Sequence, residues 1–275
     1  YCWGHNGYGQ LGDGTTTNHT TPVQVATGQG LNHGTITHIS AGGEHTCALT
    51  AAVLSIGGDA YCWGRNLSGQ LGDGTTTDRT TPVRVAAGQG LTPGAITHIT
   101  TGGDHTCALT TEAGTVADHA YCWGRGGGQL GDGTGNSHST PVEVAPGQGL
   151  TPGTITSISA GGFHTCAVAD SGDAYCWGYN DFGQLGNGST SNLGAYTPVR
   201  VLMPGSPSPG AGCENDGTRV DRVSWTNGAN HFEVDVHQTD DAVVTCVRAE
   251  RNGEAIFARD VVVPHRSTTR PRRPG

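Results

Sequence analysis

The sequence predicts an all-β protein: stacked four-stranded blades of a β-propeller, about three and a half of them, followed by a small β-sandwich-like domain. Three observations carry this reading. A Cys-Trp-Gly phrase recurs with its cysteines at positions 2, 62, 122 and 176, so the spacings are 60, 60 and 54 residues. A fixed period above about 40 residues calls for a repeat architecture before any other. Each period holds four short stretches rich in β-branched or aromatic residues and bounded by Gly, Asp or Pro, whereas residues 1–204 show no helical period. Four Gly-punctuated strands per unit, repeated, describe a propeller blade.

The four stretches follow one another in a constant order. The first is Ile-Thr-His-Ile at Ile36 and Ile96 and Ile-Thr-Ser-Ile at Ile155. The second is His-Thr-Cys-Ala from His45, His105 and His164. The third is Ala-Tyr-Cys-Trp-Gly, containing Trp63, Trp123 and Trp177, with Trp3 in the first copy. The fourth is Thr-Pro-Val from Thr21, Thr81, Thr140 and Thr197. Each Trp is large enough to pack between neighbouring blades, burying about 200 Å². Gly-Gln-Leu-Gly-Asp-Gly after the Trp strand is expected to turn, with Gly at positive φ and Asp bonding its own backbone.

Composition narrows the classes of function. The chain has 275 residues, 47 of them Gly, and only 13% are charged. The formal net charge is −9, and every one of the 14 basic residues is Arg. Residues 1–204 carry 13 acids against 5 Arg, and residues 205–275 carry 10 against 9. An acidic body disfavours nonspecific nucleic-acid binding, which requires phosphate neutralisation. No apolar run approaches the roughly 18 residues of a membrane-spanning helix.

The combined motif, Gly-Gly-x-His followed by Trp-Gly-x-Asn-x-x-Gly-Gln-Leu-Gly and then Pro-Val, resembles the RCC1-type repeat, named after the regulator of chromosome condensation. The resemblance covers about residues 1–202. Its third copy departs by one deletion, "RGGGQLG", which removes the Asn. The resemblance implies a propeller of about seven blades used as a protein-binding platform. The first copy holds only the outer half of a blade, without a complement elsewhere in the sequence. The chain therefore reads as part of a longer precursor, and its open blade edges invite self-association.

The nine cysteines extend the argument. Cys47 with Cys62, Cys107 with Cys122 and Cys166 with Cys176 occupy the second and third strands of one unit. Facing positions of an antiparallel hairpin lie within disulfide range, so one bridge per blade is expected. A zinc site would call for Cys-x-x-Cys knuckles or nearby His ligands, and the sequence has no Cys-x-x-Cys. Cys2 is left unpaired. Disulfides place the protein outside the reducing cytosol, secreted or displayed on a cell surface.

Residues 203–212 read as a Pro/Gly/Ser linker and 213–264 as a separate small β domain. Its Cys213, Trp225 and Cys246 resemble the Cys…Trp…Cys pattern of immunoglobulin-like domains, although Val244 stands where Tyr belongs and the Trp–Cys spacing is short. A Cys213–Cys246 bridge fits that domain. Residues 265–275 form an Arg/Pro-rich tail.

In a repeat protein, residues kept at every period serve the architecture, and function resides in what varies. His45, His105 and His164 recur and read as hydrogen-bonded scaffold. Asp13, Asp73, Asp132 and Asn187 recur and read as turn residues rather than calcium ligands. No nucleophile elbow, phosphate loop or metal motif occurs, so no catalytic residue, metal or cofactor is assigned. The varying positions lie on the loops after the Trp strand. Tyr8, Arg65, Leu67, Arg125, Tyr179 and Phe182 are the candidate protein-binding rim, since Tyr and Arg are enriched at hot spots and loops on rigid scaffolds carry recognition. Neutral drift at solvent-facing tips is the competing account. The expected function is a secreted or cell-surface, non-catalytic binding or structural module. An extracellular enzyme inhibitor, or the accessory of an enzyme whose catalytic domain lies elsewhere, is the alternative. A guanine-nucleotide exchange factor like the family's namesake fits the cysteines and charge poorly.

Overall fold

The structure is a computed structural model. It describes residues 1–32, 35–51, 57–88, 91, 94–111, 118–151, 153–202, 219–227, 230–238, 242–251 and 254–264. The chain divides into two units, Tyr1–Val201 and Leu202–Gly275.

In the first unit every repeated stretch is a strand. β1 (Cys2–Gly4) and β2 (His19–Val23) form a two-stranded sheet. β3 (Ile36–Ala41), β4 (His45–Thr50), β5 (Ala60–Gly64) and β6 (Arg79–Arg84) form the first four-stranded antiparallel sheet, each strand beside its successor. β7 (Ile96–Thr101), β8 (His105–Thr111), β9 (Asp118–Gly124) and β10 (His138–Glu143) repeat it. So do β11 (Ile155–Ala160), β12 (His164–Ala169), β13 (Ala174–Asn180) and β14 (Ser191–Arg200). β3 packs beside β7 and β7 beside β11, so the first strands of successive sheets adjoin. Single bridges, Gly58 to Ile96 and Asp118 to Ile155, stitch each hairpin tip to the first strand of the next sheet. These are the blades expected from the sequence.

Alternation along the Trp strand explains why blades stack. Side chains on a strand point to opposite faces with period 2. On β5, Ala60 and Cys62 face forward into a core shared with Tyr121 and Trp123 of the next sheet. Tyr61 and Trp63 face backward, into a core with Val25 and Leu31. Tyr175 and Trp177 join Cys107 and Cys122 in the same way. The third strand is thus buried on both faces, and each core belongs to two sheets. Trp63, Trp123 and Trp177 are fully buried. At about 200 Å² each, burial contributes at most about 5 kcal/mol per indole. Directly across each hairpin, Cys47–Cys62, Cys107–Cys122 and Cys166–Cys176 are disulfide-bonded, and Cys2 is a free thiol.

Burying an indole N–H requires an acceptor. That acceptor is a main-chain carbonyl of the preceding Gly-Gln-Leu-Gly loop. Trp63 Nε1 donates to Gln10 O (2.9 Å), Trp123 to Gln70 O (3.0 Å) and Trp177 to Gln129 O (3.0 Å). The second lone pair accepts a threonine of the same later sheet: Thr46, Thr106 and Thr165 Oγ1 donate to Gln10, Gln70 and Gln129 O at 2.8–2.9 Å. The threonine hydroxyl, its proton committed, accepts from a histidine one sheet earlier. His45 Nε2 donates to Thr106 Oγ1 and His105 Nε2 to Thr165 Oγ1, both at 2.9 Å. His45 and His105 are scaffold, as their periodicity implied. Burial pushes the His45 imidazole down to about 4 and His105 to about 3, so both are neutral.

The loop that supplies these carbonyls is itself organised by buried asparagine. Asn66 Oδ1 accepts from Leu71 N (2.9 Å), and its Nδ2 donates to Thr75 O and Asp73 Oδ1. Asp73 accepts from Thr75 N and from Arg79, which is the turn role expected for it. In the third copy Gly126 replaces the Asn. Its N donates to Ser137 Oγ (3.0 Å), and Gly127 N donates to Gly135 O, so the loop contracts onto its own backbone.

The second unit is a single antiparallel meander of β15 (Arg219–Asn227), β16 (Asn230–Gln238), β17 (Ala242–Arg251) and β18 (Glu254–Pro264). Its strands fall within residues 213–264, which the sequence marks as a small β domain. The described strands make one sheet of neighbouring strands, and the immunoglobulin-like pattern read from Cys213, Trp225 and Cys246 falls partly outside the described residues. Cys213, the 203–212 linker and the 265–275 tail lie outside the described residues, as does the Cys246 side chain.

Two outcomes follow. Gly72 has φ +71°, and a Cβ there would stand 2.6 Å from Trp123 Nε1; Gly74 has φ +83° but its nearest neighbour would be Thr140 Cγ2 at 3.9 Å. Gly72→Ala should lose about 2–4 kcal/mol in urea denaturation, clearly more than Gly74→Ala, which suffers backbone strain alone. A histidine held neutral below its unfolded value of 6.5 gives stability that is complete above pH 6.5 and is lost as pH falls toward its folded value. Between pH 6.5 and 4 the wild type should therefore lose on the order of 2–3 kcal/mol more than His105→Gln, measured by urea midpoints at each pH.

Candidate functional site

Each sheet presents two adjacent variable residues at one end, and backbone geometry places them side by side. The amide after each Trp-Gly pair bonds the carbonyl inside Gly-Gly-x-His: Arg65 N to Glu44 O, Arg125 N to Asp104 O and Tyr179 N to Phe163 O, each 2.9 Å. Glycine is required between Trp and that amide. Gly64 has φ +105°, and a Cβ on it would lie 2.6 Å from Glu44 O. The successive pairs are therefore Glu44 with Arg65, Asp104 with Arg125, and Phe163 with Tyr179.

The pairs touch across the blade boundaries and form one continuous stripe. The Tyr8 ring meets His5 edge-on, and the Arg65 guanidinium lies over Tyr8, 5.2 Å from its centroid. Arg65 also pairs with Glu44 and reaches Asp104 at 3.8 Å. Asp104 is shared: Arg125 Nη1 stands 3.5 Å from its other oxygen. Arg125 in turn lies over Phe163 at 5.8 Å. Phe163 packs edge-to-face on Tyr179, and Tyr179 on Phe182. The Tyr179 hydroxyl donates to Asp181, which raises the phenol above its usual range.

The stripe alternates ring, cation, anion, cation and rings over four consecutive repeats. Cation–π contacts and shared carboxylates hold long side chains flat along the surface, which lowers the ordering cost of binding. Phe182 is 86% exposed and Phe163 49%, so the aromatic end is open to a partner.

Of the rim residues expected from the sequence, Tyr8, Arg65, Arg125, Tyr179 and Phe182 are brought together. Leu67 is 62% exposed on the Arg65 loop and takes no part in these ring and ion contacts. Glu44, Asp104 and Phe163 are functional candidates that sequence reasoning passed over. The signal was present: x in Gly-Gly-x-His-Thr-Cys is the single varying letter inside a constant phrase, reading Glu, Asp and Phe. Among the described residues no cluster of three His, Cys, Asp or Glu is placed to hold a metal.

Comparison with known proteins matches this architecture. The description "Regulator of chromosome condensation (RCC1) repeat" fits residues 1–49, 57–109, 118–168 and 171–209. The ultraviolet-B receptor UVR8 of Arabidopsis thaliana is 36% identical over 202 residues, which are 74% of this chain and 41% of that protein. The probable E3 ubiquitin-protein ligase HERC4 of Homo sapiens is 38% identical over 194 residues, 70% of this chain and 17% of that protein. The chain thus spans less than half the length of either relative. Among solved structures, human WBSCR16 superposes with a TM-score of 0.60 at 25% identity, covering 86% of this chain and 52% of that one. A chain of the structure of Kap60 bound to yeast RCC1 (Prp20) shares the fold with a TM-score of 0.57 at 21% identity, covering 90% and 51%. With the repeat description fitting well over half of its residues, and with the sheets and registers that the repeat implies, this chain belongs to the RCC1 repeat family.

Proposed function

We propose that this chain is a secreted or cell-surface, non-catalytic RCC1-repeat module that binds a protein partner through the Tyr8–Phe182 stripe. The observation that carries the reading is the division of labour inside the repeat. Residues constant in every copy are consumed by packing and inter-sheet hydrogen bonds, whereas eight of the varying residues, Leu67 not among them, meet along one surface line. Exposed aromatics beside preordered arginines are the composition of binding hot spots. The three intra-sheet disulfides support an oxidising compartment. The relatives' printed activities, light reception and ubiquitin ligation, belong to proteins of which this chain spans 41% and 17%.

Two measurements test the reading separately. Alkylation and mass spectrometry of the protein taken from its native source should find Cys47, Cys62, Cys107, Cys122, Cys166 and Cys176 oxidised. Free thiols at these six would remove the extracellular placement. For the stripe, the partner captured from the surrounding medium by immobilised protein should fall about tenfold or more for Tyr179→Ala with Phe182→Ala, and equally for Arg125→Ala. Arg84→Ala, which breaks an exposed ion pair with Asp59 away from the stripe, should capture as the wild type does. Unchanged capture by the stripe variants would refute it.

A further inference from the structure

In the strand phrase Ile-Thr-x-Ile the third letter varies from copy to copy: it is His38, His98 and then Ser157. Ser157 shows that the fold does not require an imidazole there, so the two histidines call for another account. They lie on β3 and β7, first strands that adjoin from one sheet to the next. That packing brings together two side chains a full period apart in sequence. Their ring centroids stand 5.0 Å apart with the planes at 45°, and both residues are partly exposed.

The spacing is the one a shared metal ion sets. A zinc–nitrogen bond is about 2.0–2.1 Å and the nitrogen lies about 1.1 Å from its ring centre, so two imidazoles on a tetrahedral ion have centroids about 5 Å apart. Aromatic pairs without an ion prefer offset-stacked or edge-to-face planes, and a 45° tilt is neither. The rings are also held as metal ligands are held. His98 donates a ring N–H to the main chain of Ile158 on β11, which fixes its orientation. Burial, with His38 nearby, holds the His98 imidazole below its usual range, so its second nitrogen is a free lone pair at neutral pH. The two strands are pinned beside the pair. The Ser40 and Thr101 hydroxyls bond at 2.8 Å, and Thr101 N donates to Ser40 Oγ at 3.0 Å. Neither strand carries a carboxylate, so an oxygen-seeking ion such as calcium finds no charged ligand on them. Imidazole suits zinc, copper and nickel.

We propose that His38 and His98 bind one divalent transition-metal ion of the zinc class, which clasps the first strands of two successive sheets. Two protein ligands are fewer than the four of a closed structural zinc site, so water fills the remaining positions. The ion binds the folded pair, because the unfolded chain leaves the histidines a period apart, and it therefore stabilises the boundary between the sheets. None of the stripe residues takes part, and the site stands or falls without the stripe.

The test titrates zinc chloride alone into the full chain, stripped with a chelator and with Cys2 alkylated so that its thiol takes no metal. Calorimetry should find one ion per chain, bound at least about tenfold more weakly by His38→Ser and by His98→Ser. Serine is the residue of the third copy, so without zinc both variants should keep the wild-type urea midpoint. Added zinc should raise the midpoint of the wild type alone. In wild type labelled with ¹⁵N-histidine, the same addition should shift one ring nitrogen of His38 and one of His98 together, a readout that needs no variant. His119→Ser, which removes an imidazole paired with Glu143, should bind zinc as the wild type does. Equal affinity in all three variants, or loss in His119→Ser instead, would overturn the proposal. So would ring nitrogens of His38 and His98 that do not respond to saturating zinc.

Discussion

A main-chain carbonyl that serves two donors from the next sheet is the interaction on which the repeat unit depends. Gln10, Gln70 and Gln129 each bind an indole N–H and a threonine hydroxyl of the following sheet. The bond solves a problem that hydrophobic burial creates. A Trp buried on both sides by apolar neighbours is stabilising only if its N–H is satisfied, and a backbone carbonyl provides this whatever the side chain of its residue. The same geometry forces Gly at the position after Leu, because the indole occupies the space a Cβ would fill. One tryptophan therefore fixes the sequence of a loop on a neighbouring sheet, which is why Trp-Gly and Gly-Gln-Leu-Gly recur together.

Because that network is made largely of constant residues and main chain, the remaining loop positions are free to vary without cost to stacking. The Gly64, Gly124 and Gly178 close approaches then bring two variable positions of each sheet into contact. Repetition converts these into a line of side chains whose chemistry changes from sheet to sheet, with acids and arginines in the middle and rings at both ends. The stripe is held in place by its own cation–π, ion and ring contacts, which is the preorganisation the proposed recognition role calls for.

Much of this was legible in the residues. The strands, their order and the paired cysteines follow from period-2 alternation inside a long period, because both signals repeat and reinforce one another. The role of His45 and His105 was legible as scaffold but not as part of a relay, since their threonine partners lie about one repeat away in sequence. Glu44, Asp104 and Phe163 were overlooked because the phrase around them is constant, and constancy was read as applying to every letter. The second unit was the least legible. Without a repeat, the spacing of Cys213, Trp225 and Cys246 was the remaining long-range cue, and it gave the β class of the unit but not the order of its strands, which form a meander.

Indole hydrogen exchange tests the central claim most directly. In a ¹⁵N-Trp-labelled sample, the side-chain N–H groups of Trp63, Trp123 and Trp177 should exchange slowly and at similar rates, through opening of the stacked sheets. The N–H of Trp3, which is exposed in this structure, should exchange within the dead time. Rapid exchange of the three buried indoles, at rates like that of Trp3, would contradict the account of how these sheets are joined.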